Sequence, residues 1–247
     1  MRQAPSRRRS RYGESVTPEP SDHPALLQSV GALNDDSRRR MFSFIRRARR
    51  AVTRDEAAES IGISRKLAAF HLDRLVDAGL LEVSFERGMS VRIGRTPKRY
   101  RASNVDVEVS IPERHYDLVG EILLDAVETA ASDESPTDAV RRVAADRGRQ
   151  LGARTRDERR LGRLGPERAA TVVKELLGDC GFEPATCDGQ IVQRNCPFHR
   201  LAQRSPALVC GINHAFVDGL LDGLGASRLH AALDPDDGRC CVVVGTD

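Results

Sequence analysis

The chain is 247 residues long, which is enough for two compact domains of ordinary size. Hydrophobic residues make up 40% of it and charged residues 30%, which is typical of a folded protein and excludes a wholly disordered chain. No apolar run approaches the ~20 residues of a membrane span, and the basic start lacks the apolar stretch of a signal peptide. We therefore expect a cytoplasmic protein.

The net charge of +3 conceals an asymmetry between the two parts of the chain. Residues 1–101 carry 22 Lys and Arg against 12 Asp and Glu, a net charge of +10, whereas the remainder carries 17 against 24, a net charge of −7. A basic part joined to an acidic part favours a polyanionic partner for the first. Uneven solvation of two surfaces is the alternative explanation.

Residues 1–22 contain five Arg, three Pro and few apolar side chains. Such a segment cannot bury enough apolar surface to offset the entropy of ordering it, so we predict a disordered basic tail.

Residues 23–104 carry the signals of a helix-turn-helix. Apolar spacing predicts a helix over 36–50. Thr53 and Glu56 then fit a capping box that opens a second, short helix. Gly62 suits its C-terminal turn, and Ser64 is placed to cap a third helix that runs to about Ala78.

Two β-like runs, LLEVSFE and VRIGRTPKRYRA, follow the third helix and enclose the turn 87–90. Three helices followed by a basic hairpin form a winged helix, whose second motif helix enters the DNA major groove. A helix N-terminus attracts phosphate, and Arg or Lys contacts phosphate or guanine. The residues predicted to bind double-stranded DNA are Ser64, Arg65, Lys66, Ala69 and Phe70 of the helix and Arg92, Arg95, Lys98 and Arg99 of the wing.

These stretches resemble the ArsR-like winged helix-turn-helix regulators. The matching residues are SRKLAAFHLDRLVDAGLL (64–81) and GRTPKRYR (94–101), in the order and at the distance found in that family. The resemblance implies a DNA-binding transcriptional regulator. A winged helix used only for protein contacts is the alternative.

The region 105–247 is predicted to be an α+β domain. It opens with a helix at 116–131 whose apolar stripe must pack on something, and we expect it to pair two chains into a homodimer. The members of the stripe are Leu118, Ile122, Leu123, Ala126 and Val127.

Further elements are predicted in chain order after that helix. Helices are expected near 137–152, 166–178 and 206–225, with one hairpin turning at Asp188–Gly189 and another at 235–239. The whole chain is therefore expected to be α+β, with the winged helix joined by a helix to a sensor domain.

Six cysteines fall in the last 68 residues without forming a C-x-x-C pair. Cys196 follows a strand, Cys210 begins a helix and Cys240 is expected to start a strand, so three thiolates can converge on an iron–sulfur cluster or zinc. Alternation along that strand would turn Cys241 away from the site. His199, on the same loop as Cys196, is the main candidate for a fourth ligand, with His214 a lesser one; Cys180 and Cys187 could be ligands or small buried side chains.

A closer resemblance covers this half. The run NCPFHRLAQRSPALVCGINHAFVDGLLDGLG (195–225), preceded by GFEP (181–184), resembles the SufR-type branch of these regulators. The resemblance implies a dimeric repressor of iron–sulfur assembly genes that holds a cluster through Cys196, Cys210 and Cys240. The four evenly spaced cysteines of some members are absent, which leaves the fourth ligand open.

These features are compatible with three functions. The favoured one is a transcriptional regulator, a repressor without enzymatic activity, that senses iron–sulfur or redox status. The second is a winged-helix regulator of a small organic effector, with structural cysteines or zinc. The third, a thiol enzyme using His199 or His214, lacks any nucleophile signature.

Overall fold

The computed structural model describes residues 23–85, 98–236 and 238–246, and it separates into two compact units with the division between Val109 and Ser110. The mixture of helices and strands confirms the predicted α+β class. The predicted tail (1–22) and the tip of the predicted wing lie outside the described residues.

The described residues of the N-terminal unit (23–85 and 98–109) form four helices and a small antiparallel sheet with the strand order β1-β3-β2. In chain order its elements are α1 (His23–Ala32), α2 (Asp36–Ala48), β1 (Val52–Thr53), α3 (Arg54–Ile61), α4 (Arg65–Asp77), β2 (Leu81–Phe85) and β3 (Lys98–Ala102).

Local capping sets where α3 begins and ends. The Thr53 hydroxyl accepts a hydrogen bond from the Glu56 amide (3.2 Å), and the Glu56 carboxylate accepts one from the Thr53 amide (2.6 Å), so the predicted capping box is present. Gly62 ends the helix in the left-handed conformation, with φ of 72°. The sharp turn that follows leads into α4.

Helix α1 was not predicted from sequence. Its Ser29 hydroxyl donates to the carbonyl of Ala78 (2.8 Å), which ties α1 to the end of α4. The core beneath these helices contains Met41, Leu72 and Tyr100, each without exposed surface. Tyr100 comes from β3, so the wing strand is fixed to the helices by its side chain.

The C-terminal unit (residues 110–246) surrounds a four-stranded antiparallel sheet with the order β4-β5-β7-β6. In chain order its elements are α5 (Tyr116–Thr129), α6 (Pro136–Glu158), α7 (Pro166–Asp179), β4 (Pro184–Cys187), β5 (Gln190–Gln193), α8 (His199–Arg204), α9 (Pro206–Leu224), β6 (Leu229–Leu233) and β7 (Val242–Thr246). Asp188 and Gly189, both with positive φ, make the predicted two-residue hairpin turn.

The predicted stripe on α5 is divided between two faces. Leu118, Ile122 and Ala126 are buried inside the unit, whereas Leu123 and Val127 are exposed, Val127 to 79%. Consecutive residues of a helix are rotated by about 100° about its axis, and Leu123 and Val127 each directly follow a buried residue of the stripe. The stripe is therefore too wide to pack entirely against one neighbouring surface. Helix α5 follows the non-helical segment 103–115 and packs within the C-terminal unit.

Helices α6 and α9 approach each other backbone to backbone and run in parallel. A Cβ on Gly219 would overlap the carbonyl oxygen of Ala145, and a Cβ on Gly148 would overlap that of Phe216. Gly223 is equally close to the backbone of α6. Because these glycines have no side chain, the backbones of α6 and α9 can pack in direct contact at the centre of the unit.

Helix α9 is also, among the described helices, the one long and apolar enough to cross a membrane. More than half of it is buried within the unit, which is the placement of a core helix.

We predict that Gly219→Ala lowers the free energy of unfolding of the C-terminal unit by about 1–3 kcal/mol, because the new methyl group must push α6 and α9 apart. Urea unfolding followed by circular dichroism measures this. Gly178→Ala is the matched control, since Gly178 lies on α7 and a Cβ there would make only an ordinary contact, 4.0 Å from Cδ of Pro184. That variant is expected to be unchanged or stabilised by about 0.5–1 kcal/mol. Equal stability of the two variants would contradict the close packing.

A pH dependence is predicted for the N-terminal unit. Hydrogen bonds from Arg50, then from the Thr53 amide and hydroxyl, lower the pKa of Glu56 from 4.5 to about 2. A carboxylate with a lowered pKa stabilises the fold above its unfolded pKa and loses that contribution as the pH falls through its folded pKa. The stability difference between the wild type and Glu56→Gln should therefore shrink as the pH falls from 4.5 towards 2. Urea titrations across that range measure the difference, and a constant value would contradict the prediction.

Candidate functional site

The outward face of α4 carries most of the helix residues predicted to bind DNA. The hydroxyl of Ser64 accepts a hydrogen bond from the amide of Leu67 (3.2 Å) and caps the helix. Arg65 and Lys66 are exposed in its first turn, and Ala69 is half-buried. Ala68, Leu72 and Leu75 point into the core, as the helical spacing predicts.

Arg65 forms an ion pair across the helix-turn-helix. Its Nε lies 2.5 Å from Oδ1 of Asp55 on α3, and both side chains are largely exposed. An exposed pair of this kind contributes about 0–1 kcal/mol, so a phosphate could replace the carboxylate at small cost. The pair holds the guanidinium at the start of α4.

Phe70 is half-exposed in the middle of the same face. The guanidinium of Arg74 lies 5.5 Å from the centre of its ring, and the ring of His71 meets it edge-on. His71 itself is buried, with Nδ1 3.9 Å from the carboxylate of Asp35. Packing therefore explains His71, and Phe70 remains available to an apolar base contact.

The wing strand β3 presents its basic residues on two faces. Lys98 shares a face with the buried Tyr100, and its Nζ lies 3.7 Å from the Asp73 carboxylate on α4. Arg99 lies on the opposite face and is half-buried. The wing residues Arg92 and Arg95 fall outside the described part of the chain.

Leu67 is an exposed residue of α4 that charge and motif reasoning did not single out. It is 43% exposed in the turn that carries Lys66. An apolar side chain there offers van der Waals contact to a thymine methyl group. Only its position on the outward face of the helix marks it.

In the C-terminal unit, Cys196 and Cys240 form a hydrogen-bonded thiol pair. The bond from Cys240, more than the Phe198 amide and Arg114, lowers the pKa of Cys196 to about 7 against the effect of burial. The same bond, together with burial, raises the pKa of Cys240. Cys196 is therefore the sulfur of the pair that ionises first.

Cys210 and Cys241 are joined by a disulfide, with their Cα atoms 6.4 Å apart. The sequence predicts that Cys241 points away from the site, because it assumes that a strand begins at Cys240. The strand β7 begins at Val242 instead, so the two cysteines precede it and strand alternation does not apply to them. The prediction that a strand starts at Cys240 is therefore wrong, and it gives no reason to exclude Cys241.

Asn213 connects the two pairs. It lies three residues after Cys210 on α9, and its Nδ2 donates to the sulfur of Cys240 (3.1 Å). The Cys240 amide in turn donates to the backbone carbonyl of Gln193 (2.8 Å). The side chains of Asn213 and Gln193 are both buried. Within the described residues, neither Nε2 nor Oε1 of Gln193 has a hydrogen-bond partner, and Oδ1 of Asn213 has none either. Such buried polar atoms usually mark a bound polar group or water.

The loop that carries Cys196 is fixed by Asn195, a residue that sequence reasoning passed over. Its amide donates to the carbonyls of Glu113 (3.0 Å) and Gly181 (2.6 Å), and its carbonyl accepts from Arg114. Arg114 also donates to the carbonyl of Cys196 (3.1 Å). The asparagine of the NCPF sequence therefore has a positioning role.

The other candidate ligands are placed differently. His199 is exposed at the first residue of α8, and His214 lies 3.2 Å from the Ala231 carbonyl. Cys180 is buried, which raises its pKa to about 12, and Cys187 is exposed at the end of β4. With Cys210 and Cys241 joined, no three His, Cys, Asp or Glu side chains in the described part of the chain are arranged to hold a metal ion.

A comparison with known families matches residues 33–84 to a helix-turn-helix domain. The match spans α2 to β2 and includes every predicted α4 contact residue. No curated protein matches the chain. The N-terminal unit is therefore a helix-turn-helix domain of the kind found in DNA-binding transcriptional regulators, which are typically not enzymes.

Lys66→Ala tests the α4 surface. Removing one phosphate contact should weaken binding to a DNA duplex of unselected sequence and make the log–log salt dependence less steep by about one. Fluorescence anisotropy at several salt concentrations measures both quantities. Lys174→Ala, which removes the same charge from α7, is the control and should leave both unchanged. An unaltered salt slope for Lys66→Ala would place the DNA elsewhere.

Proposed function

We propose that the chain is a homodimeric transcriptional repressor that reports iron–sulfur or redox status through a cluster held by Cys196, Cys210 and Cys240. The observation that carries the proposal is that Cys240 contacts both the loop of Cys196 and the helix α9, which bears Cys210. The sulfur of Cys240 is hydrogen-bonded to Cys196 and to Asn213, one helical turn beyond Cys210.

The chemistry of the donors suits such a group. Thiolates are the ligands that iron–sulfur clusters use, and Arg114 beside Cys196 favours the ionised form. The buried side-chain amide of Gln193, neither atom of which is hydrogen-bonded to a described residue, offers hydrogen bonds to a polar occupant. When bound, a cluster supplies one-electron redox chemistry and sensitivity to oxygen.

The three proposed ligands come from three different parts of the C-terminal unit. Cys196 lies before α8, Cys210 on α9 and Cys240 before β7. Ligation would hold these elements in one arrangement, and loss of ligation would release them. A regulator requires that arrangement to favour one of two dimer geometries energetically.

The exposed face of α5 supports the homodimer. Leu123, Leu124 and Val127 lie on it with 37%, 58% and 79% of their surface exposed. A two-fold dimer would bury this face against the same face of a second chain, and it would present two recognition helices to two half-sites.

The test is anaerobic purification of the full chain with measurement of visible absorption, iron and acid-labile sulfide. We expect a coloured protein, and we expect Cys196→Ser, Cys210→Ser and Cys240→Ser each to lose colour and iron. Cys180→Ser is the control and should keep both, since Cys180 is buried in the hydrophobic core.

A colourless, iron-free wild type with one zinc per chain would contradict the cluster and favour structural zinc. A colourless protein with neither metal would favour the organic effector.

A further inference from the structure

We infer that Cys241 supplies the fourth thiolate of the site. The inference rests on the proposed function, since it completes the ligand set of the same group. It adds a residue that the strand pattern had excluded and that no motif identifies.

The side chains of Cys240 and Cys241 both reach helix α9. Cys240 and Cys241 are consecutive, yet both sulfurs meet α9: that of Cys240 lies 3.1 Å from Asn213 Nδ2, and that of Cys241 is bonded to Cys210. Cys210 and Asn213 are three residues apart and share a helix face. The segment before β7 therefore presents two adjacent sulfurs to one side of α9.

The four cysteines lie close to one another. The Cα atoms of Cys210 and Cys241 are 6.4 Å apart, and consecutive Cα atoms are about 3.8 Å apart, so the Cα atoms of Cys210 and Cys240 lie within about 10 Å. Cys196 is hydrogen-bonded to Cys240. The four sulfurs thus form two neighbouring pairs, and four cysteines are the common ligand set of [2Fe–2S] and [4Fe–4S] clusters.

The other candidates for the fourth ligand are less well placed than Cys241. His199 is exposed on α8, and Cys187 is exposed at the end of β4. Cys180 is buried in the hydrophobic core. Cys241 is half-buried and already touches one of the three proposed ligands. It is the cysteine that needs the least movement to join them.

The disulfide and the ligated state exclude each other, because each sulfur can bond either to sulfur or to iron. An external dithiol breaks the Cys210–Cys241 bond: each sulfur gains one electron and one proton, and the dithiol becomes its own disulfide. Both thiols then lose their protons on binding iron. The site is therefore filled only after reduction.

The experiment is anaerobic reconstitution of the full chain with ferrous iron and sulfide, with and without dithiothreitol. The wild type should take up more iron with dithiothreitol than without it, because the dithiol reduces the Cys210–Cys241 bond fully whereas sulfide opens it only in part. With dithiothreitol present, Cys241→Ser should bind at least about tenfold less iron than the wild type, whereas His199→Ala and Cys187→Ser should match the wild type. Full iron uptake by Cys241→Ser, with wild-type absorption, overturns the assignment and leaves the proposed function standing. A wild type that takes up no iron contradicts both.

A second measurement uses the wild type and does not depend on the folding of a variant. The iron-loaded chain is alkylated with iodoacetamide in its native state and mapped by mass spectrometry. We expect Cys241 to be protected, and to become alkylated after iron is chelated in the presence of dithiothreitol. Cys187 is the internal control and should be alkylated in both states. Alkylation of Cys241 in the loaded chain overturns the assignment.

Discussion

The close approach of α6 and α9 is the constraint on which the C-terminal unit depends. Two backbones can come this near only where side chains are missing, and Gly148, Gly219 and Gly223 provide the gaps. An ion pair between Arg149 and Asp222 (2.7 Å) bridges the two helices at their surface. Helix α9 is thereby held at the centre of the unit, where one of its faces meets the sheet.

The cysteine site follows from that placement. Helix α9 contributes Cys210 and Asn213, and the segment before β7 brings Cys240 and Cys241 to the same face. Asn195 fixes the loop that carries Cys196 by bonding to backbone groups far away in sequence. The cysteines thus lie on a core helix, on the segment that leads into the interior strand β7 and on a loop held by hydrogen bonds to the backbone, an arrangement suited to holding binding groups in position.

The sequence alone predicted the features that depend on residues close together in the chain. The Thr53–Glu56 capping box and the Asp188–Gly189 turn depend on neighbouring residues, and both are present. The division of the α5 stripe could not be predicted, because it depends on which face α6 covers. The same is true of Cys241, since its direction depends on β7 starting at Val242 and not at Cys240. Asn195 is marked by contacts to Glu113 and Gly181, which no local pattern contains.

The N-terminal unit is a helix-turn-helix domain, and the C-terminal unit carries the cysteines. In the proposed function, the cluster bound by the C-terminal unit controls the DNA affinity of the N-terminal unit. The direct measurement is the Kd for a duplex selected from a random pool by the iron-loaded protein, compared before and after iron is removed under reducing conditions. The account predicts a change of about 5- to 150-fold, the usual range of coupling between two sites. An identical Kd in the two states would contradict it.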